Sequence, residues 1–362
     1  MSPLAWPSRP LSIPTASLAG MADSPAALAP PLSNGDTAPT DSPLRSGPGS
    51  AKKRMLIIVN PYATTVSDRL KNLVVYALQG RYDVEAVSTQ AQNHATEIGR
   101  EARDGGYDVV VAFGGDGTLN EVANGLAGTD VPVSVLPGGS TNVVCRTLGI
   151  PNDVVDATEH LLGLADDFRP RRIDLGLTGG RYFVFSCGMG LDASVTKRVD
   201  ARPGLKATAG PYYYTWATIS AFYRRYARNP VGLHVESEGR ELEGITALVQ
   251  NSDPYTYFAS RPIRICEGVE FGDGTLAAAV LRRGAQRDVV TLIPRLLGQR
   301  LSAAQHRQIQ MLEGVHEMRV TSTSVDSDGR PLPFPIQVDG DYIGEQSRVD
   351  IRVEPGALTV VA

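Results

Sequence analysis

Long apolar runs are missing from this chain of 362 residues. Stretches such as Met55–Val59 and Val109–Phe113 fall far short of the roughly 20 residues a bilayer-spanning helix needs, so any membrane contact would be made from the surface. Cysteine is scarce. Cys145, Cys187 and Cys266 are odd in number and far apart, which excludes a disulfide framework and any metal-ligand spacing and points to a reducing, cytoplasmic setting. An excess of positive charge is also lacking: 35 Lys and Arg against 39 Asp and Glu leave a net charge of −4, so no basic field argues for nucleic acid. The five histidines (His94, His160, His234, His306 and His316) stand apart, with no serine–histidine–acid order or metal-binding pair to suggest hydrolysis.

What is present divides the chain in three. Residues 1–52 are dominated by Pro, Ala and Ser, with Pro30, Pro31, Pro39, Pro43 and Pro48 too dense for helix or strand. Prolines at 3, 7, 10 and 14 interrupt the only candidate signal-peptide core. The expectation is a disordered tail, with Met21 open as an alternative start. Deleting residues 1–50 should leave turnover and the thermal midpoint nearly unchanged, because such a composition buries little apolar surface. A large fall in the midpoint of the truncated protein would show that the tail packs after all.

From Lys53 the pattern alternates strand and helix. Val109–Phe113 is a β-branched run that ends in Gly114-Gly115-Asp116-Gly117-Thr118, after which Leu119, Val122, Ala123 and Leu126 recur at helical spacing. A strand, a glycine turn and a helix N-terminus present free backbone N–H groups and the positive end of a helix dipole, a setting that suits phosphate. An aspartate beside bound phosphate suits a divalent cation, and at a glycine turn Asp116 has little packing role. Met55–Val59 ends similarly at Asn60-Pro61-Tyr62-Ala63-Thr64, and Val131–Leu136 at Pro137-Gly138-Gly139-Ser140-Thr141-Asn142. Repeated βα units predict a doubly wound, Rossmann-like parallel sheet over 53–170, with all three loops converging at the strand C-termini. Over 171–362 short strand-like runs, among them Arg181–Ser186, Ile245–Gln250, Val349–Val353 and Leu358–Val361, predict a β-rich, sandwich-like second domain. Helices are expected at Ala193–Val199, Tyr212–Arg228 and Asp288–Leu297.

Together the Asn60-Pro61 turn, the Gly114–Thr118 loop and the Pro137–Asn142 loop resemble the diacylglycerol kinase catalytic-domain family, which includes bacterial diacylglycerol kinases and sphingosine kinases. Gly188–Ala193 and Gln337-Val338-Asp339-Gly340-Asp341 extend the likeness to the C-terminus. The resemblance implies an ATP- and magnesium-dependent kinase acting on a lipid hydroxyl, most naturally diacylglycerol or a sphingoid lipid. Asn60, Pro61, Tyr62, Ala63 and Thr64 would line the nucleotide, with Thr89 a lesser contact. Gly114, Gly115, Asp116, Gly117, Thr118, Leu119, Asn120 and Glu121 would form the phosphate loop, Asp116 working through magnesium. Gly139 and Ser140 would complete it, Ser140 keeping the hydroxyl of the family's usual threonine. Val143 replaces a frequent aspartate. Asp341 stands where the family has a glutamate that serves as general base.

A structural magnesium site is implied at Asp273, with Glu270 as a further ligand, although solvated turn residues fit that stretch equally well. On the acceptor side, Tyr212–Arg228 joins aromatics to Arg224, Arg225 and Arg228, which suits either a membrane surface or a packed face. Tyr255, Tyr257 and Phe258 leave the same choice between a lipid cleft and the core. The expected partner is a lipid at a membrane surface, with peripheral association and no nucleic acid; a homodimer is left open. Two other functions stay open: an enzyme like NAD kinase, and a non-catalytic lipid- or nucleotide-binding regulator favoured by the departures at Val143 and Asp341.

Overall fold

The computed structural model describes residues 52–191, 193–194, 196, 230–258, 260–297 and 302–362. The expected tail and the Tyr212–Arg228 segment lie outside the described residues, as do residues 195 and 197–199 of Ala193–Val199.

The first half runs β1 (Lys53–Val59), α1 (Asp68–Leu78), β2 (Tyr82–Ser88), α2 (His94–Ala102), β3 (Val109–Gly114), α3 (Asp116–Leu126), β4 (Val133–Pro137), α4 (Val143–Thr147) and α5 (Val154–Leu164). Its four strands are parallel in the order β2-β1-β3-β4. Because β1 leads leftward to β2 and β2 rightward to β3, right-handed crossovers put α1 and α2 on opposite faces of the sheet. The packing agrees, α1 lying against α5 and α2 against α3. Every residue of β3 is buried, the mark of a central parallel strand covered on both sides. Each such valine contributes about 1.5–3 kcal/mol by leaving water. The strand order reverses between β1 and β3, and their loops open there, where α/β sheets bind ligands.

Helix α5 was not foreseen, although Asp153 marks its start: its carboxylate accepts N–H bonds from Val155 and Asp156.

The second half contains β5 (Arg171–Thr178), β6 (Arg181–Phe183), β7 (Ser186–Gly190), β8 (Leu233–Ser237), β9 (Arg240–Gly244), β10 (Thr246–Gln250), β11 (Thr256–Phe258), β12 (Arg261–Ile263) and β13 (Leu276–Leu281). Helix α6 (Gln286–Leu297) follows, then β14 (Ile309–Val315), β15 (Glu317–Ser322), β16 (Phe334–Val338), β17 (Asp341–Gln346) and β18 (Arg348–Val360). One antiparallel sheet is ordered β14-β13-β10-β7-β16-β17. It faces a second sheet built around β18, β15 and β8, and Met189, Val249, Phe334, Val235, Val320 and Ile351 from the two sheets fill one core between them. That is a β-sandwich. The end of β18 pairs in parallel with β4 at Val360 and Val133, so sheet hydrogen bonding crosses the 170/171 boundary.

Two strand expectations change. Arg181–Ser186 is not one strand, because the N–H groups of Val184, Phe185 and Ser186 all turn inward to the Asp339 carboxylate. Conversely, Val349–Val353 and Leu358–Val361 belong essentially to one strand, β18, interrupted by an irregularity between Glu354 and Leu358.

Candidate active site

The three loops foreseen after β1, β3 and β4 do meet. Gly138 N donates to Gly114 O at 2.7 Å and Thr65 N to Gly138 O at 3.1 Å. Asn60 joins from the other side: its backbone N–H donates to Phe113 O at 2.9 Å, and its Nδ2 to Thr118 Oγ1 at 3.0 Å. A Cβ on Gly139 would stand 2.9 Å from the Cα of Gly115, so the two glycine loops touch backbone to backbone. In the β4 loop Asn142, held at φ 48°, closes a ring by accepting from Gly139 N and donating to Gly139 O. The Ser140 side chain stays exposed beside this ring, its hydroxyl 3.5 Å from that of Thr141.

Helix α3 begins at Asp116, with Gly115 in extended conformation as its cap. Its first amides therefore open into the space bounded by the loops, as a phosphate requires. Asp116 is not a free turn carboxylate. Its Oδ1 accepts from Val144 N at 3.3 Å, which ties the start of α4 to the start of α3. Desolvation pushes its carboxyl up to about 6; the Val143 and Val144 amides oppose the shift, the charge of Asp341 adds to it, and Arg146 opposes it. The Val143 side chain is buried in the core.

Asp341 lies across from this helix start. It opens β17 after a two-residue hairpin in which Asp339 (φ 49°) and Gly340 (φ 86°) both take left-handed conformations, the backbone an Asp-Gly turn favours. Gln337 Oε1 accepts from Gly340 N at 2.7 Å and fastens the turn. The result is a hairpin, but Asp341 is not merely solvated. A Cβ on Gly117 would meet Asp341 Oδ2 at 2.9 Å, so this carboxylate rests directly on the first turn of α3.

Three residues expected in the loop are committed elsewhere. Leu119 is buried in the core. Glu121 accepts from Asn93 N and Ala95 N, serving as the cap of α2. Asn120 is wholly buried and donates to Asp339 Oδ2 at 2.7 Å and to Tyr182 O at 2.8 Å. Of the β1 loop, Tyr62 is 82 % exposed and its N–H is held by Asn60 Oδ1. Pro61, Ala63 and Thr64 complete that turn, with Ala63 N donating to Asn60 O. Thr89 is buried at the end of β2, its N–H donating to Val59 O.

Asp273 and Glu270 do not assemble as cation ligands. Asp273 Oδ1 accepts from Thr275 N and Thr275 Oγ1, and Oδ2 from Glu270 N, a closed turn that uses both oxygens. Among the described residues no group of three or more His, Cys, Asp or Glu side chains is arranged to hold a metal. Of the acceptor-side aromatics, Tyr257 is half-buried, with Arg146 4.5 Å above its ring.

Two residues central to this geometry escaped the sequence reading. Asp339 is buried and accepts from Asn120, Val184, Phe185 and Ser186; burial pushes its carboxyl up to about 6. Arg181 donates from Nε and Nη2 to Asn120 Oδ1 and stands 3.6 Å from Asp341. The only sequence signal for either was an acid in an Asp-Gly turn and an arginine after a Gly-Gly pair.

Known proteins match the same two halves. The profile of the diacylglycerol kinase catalytic domain covers residues 54–176, and that of the YegS C-terminal NAD kinase beta sandwich-like domain covers residues 186–362. Residues 54–176 thus carry a diacylglycerol kinase catalytic domain. A diacylglycerol kinase of Staphylococcus aureus (strain bovine RF122 / ET3-1) is 31% identical over 205 residues, covering 54% of this chain and 61% of that protein. The match thus spans about three fifths of the length of such relatives. The structure of a diacylglycerol kinase from Bacillus anthracis str. Sterne superposes with a TM-score of 0.62 at 20% identity, over 86% of this chain and 98% of that one. Another chain from that organism reaches a TM-score of 0.67 at 23% identity, over 87% and 97%. At such identities these structures speak to the fold alone, a parallel α/β half followed by a β-sandwich.

Proposed function

We propose that this chain transfers the γ-phosphoryl group of ATP to the hydroxyl of a lipid, diacylglycerol or a sphingoid lipid being the foremost candidates. The observation that carries the reading is the contact of Asp341 with Gly117: a carboxylate able to take a proton lies against the loop suited to hold the phosphates. The first amides of α3 and the Ser140 hydroxyl hold phosphate oxygens, and Asn60 and Thr118 brace the loop from behind. Magnesium fits beside Asp116, whose oxygen donor faces a second carboxylate that repels it; there the ion would neutralise charge on the phosphates. Asp341 accepts the proton of the acceptor hydroxyl as the oxygen attacks. Positioning and charge stabilisation carry most of such a reaction.

A lipid acceptor implies work at a membrane surface. Among the described residues no helix is long and apolar enough to cross a bilayer, so the proposed association is peripheral. The match to a NAD kinase beta sandwich-like domain favours a second reading, phosphorylation of a nucleotide hydroxyl in the same cleft.

A coupled assay that follows ADP release with diacylglycerol, sphingosine or NAD as acceptor separates these. ADP release that depends on a lipid and yields a phosphorylated lipid supports the first reading. Dependence on NAD supports the second. ATP binding without turnover on any acceptor indicates a regulator.

A further inference from the structure

Asp341 is one end of a buried polar chain that joins the two halves of the protein. Asn120, from α3, is wholly buried, and its two amide faces are used in opposite directions. Its Nδ2 donates to Asp339 Oδ2 at 2.7 Å and to Tyr182 O at 2.8 Å. Its Oδ1 must then face the arginine, accepting from Arg181 Nη2 at 2.8 Å and Nε at 3.1 Å. Asp339 is itself immobilised by three backbone amides. The guanidinium of Arg181 is therefore set by groups that have no freedom to turn. From that fixed position Nη2 stands 3.6 Å from Asp341 Oδ2, the oxygen that rests on Gly117.

The surroundings explain why a cation is needed there. The charge of Asp341 reaches Asp116 of α3 and opposes its ionisation, while Arg146 of α4 favours it. Arg181 sets a positive charge on the Asp341 side of this pair of acids. Asp339 is sealed in the interior two residues earlier.

We propose that Arg181 is a positioning residue, held by Asn120 and holding the Asp341 carboxylate over Gly117, and that it does so without binding the nucleotide. This rests on the kinase reading above, and asks what aims the base within it.

The test is steady-state kinetics of Arg181→Ala and Arg181→Lys on the acceptor that the wild type uses, with added guanidinium chloride at millimolar concentration. Turnover of Arg181→Ala should fall about a hundredfold, the scale of a misplaced reacting group, while the KM for ATP stays within about twofold. Guanidinium should restore part of that turnover, since the Arg181 side chain is 24% exposed and its removal opens a path for the ion. Arg181→Lys, which cannot make the forked bond to Asn120, should fold with a wild-type thermal midpoint and lose turnover with the KM for ATP unchanged. A KM for ATP that rises with the loss of turnover would make Arg181 a phosphate ligand and overturn the proposal. So would wild-type turnover in both variants, or failure of guanidinium to rescue a folded Arg181→Ala. Should the wild type turn over no acceptor at all, the kinase reading falls first and this role falls with it.

Discussion

Asp341→Asn is expected to lower turnover by about two to four orders of magnitude, the usual contribution of a positioned general base, while the KM for ATP stays nearly constant. The amide keeps the shape of the carboxylate and its place against Gly117, but it cannot take the acceptor's proton. ATP binding should be spared because the phosphate cradle is built from α3 amides and the β4 loop. The companion variant Asp341→Glu is also informative. From the sequence alone, glutamate would be expected to retain or raise activity, since the family carries it. The structure reverses that expectation. Asp341 Oδ2 is already so close to Gly117 that a single added Cβ on that glycine would meet it at 2.9 Å. An added methylene lengthens the side chain by about 1.5 Å and would carry the carboxylate off its place on Gly117, so Asp341→Glu should be slower than the wild type. Both variants are read by initial rates on the true acceptor in mixed micelles. Wild-type turnover in Asp341→Asn would mean that another group takes the proton.

The second large effect is expected at Asp116. Phosphoryl transfer should fall by at least about a hundredfold in Asp116→Asn, because a charge suited to magnesium is lost where the transition state concentrates negative charge. Stability should move the other way. The carboxyl is pushed from 3.8 up to about 6 in the folded protein, so between about pH 4 and 6 the folded state binds more protons than the unfolded state. Stability then falls as pH rises through that window. The asparagine variant lacks this titration, yet still offers an oxygen to the Val143 and Val144 amides. At pH 7 without divalent cation it should be the more stable protein, by up to about 3 kcal/mol at roughly 1.4 kcal/mol per pKa unit, and the gap should close below about pH 4. Thermal melts across pH 4–8 measure this directly; a midpoint well below wild type at pH 7 would contradict it. Asp116→Ala is the poorer probe. It leaves the Val144 amide without its acceptor, at a cost of about 1–3 kcal/mol.

The convergence of the three loops was legible because it follows from local pattern. A buried β-branched strand such as Val109–Phe113, a glycine turn and a helical repeat occupy one stretch of chain, and parallel βα units can place such turns only at one edge of their sheet. The same logic put Leu119, Asn120 and Glu121 in the loop, whereas the fold commits their side chains elsewhere. Proximity to the glycine turn in sequence says nothing about which way a helix face points. Glu121 faces back to cap α2, and Asn120 faces the sandwich.

By itself, then, the sequence determined the strand–turn–helix units of the first half and the β-rich character of the second, since each depends on residues close in the chain. Only the tertiary structure decided that Asp339 lies buried among the amides of Val184, Phe185 and Ser186, and that Asn120 meets it across 219 positions of sequence. It likewise decided that Asp341 rests on Gly117. Those contacts join segments with no shared periodicity. They exist because desolvating a carboxylate is costly unless amides surround it, and only the folded pairing of α3 with the sandwich brings enough amides to one place.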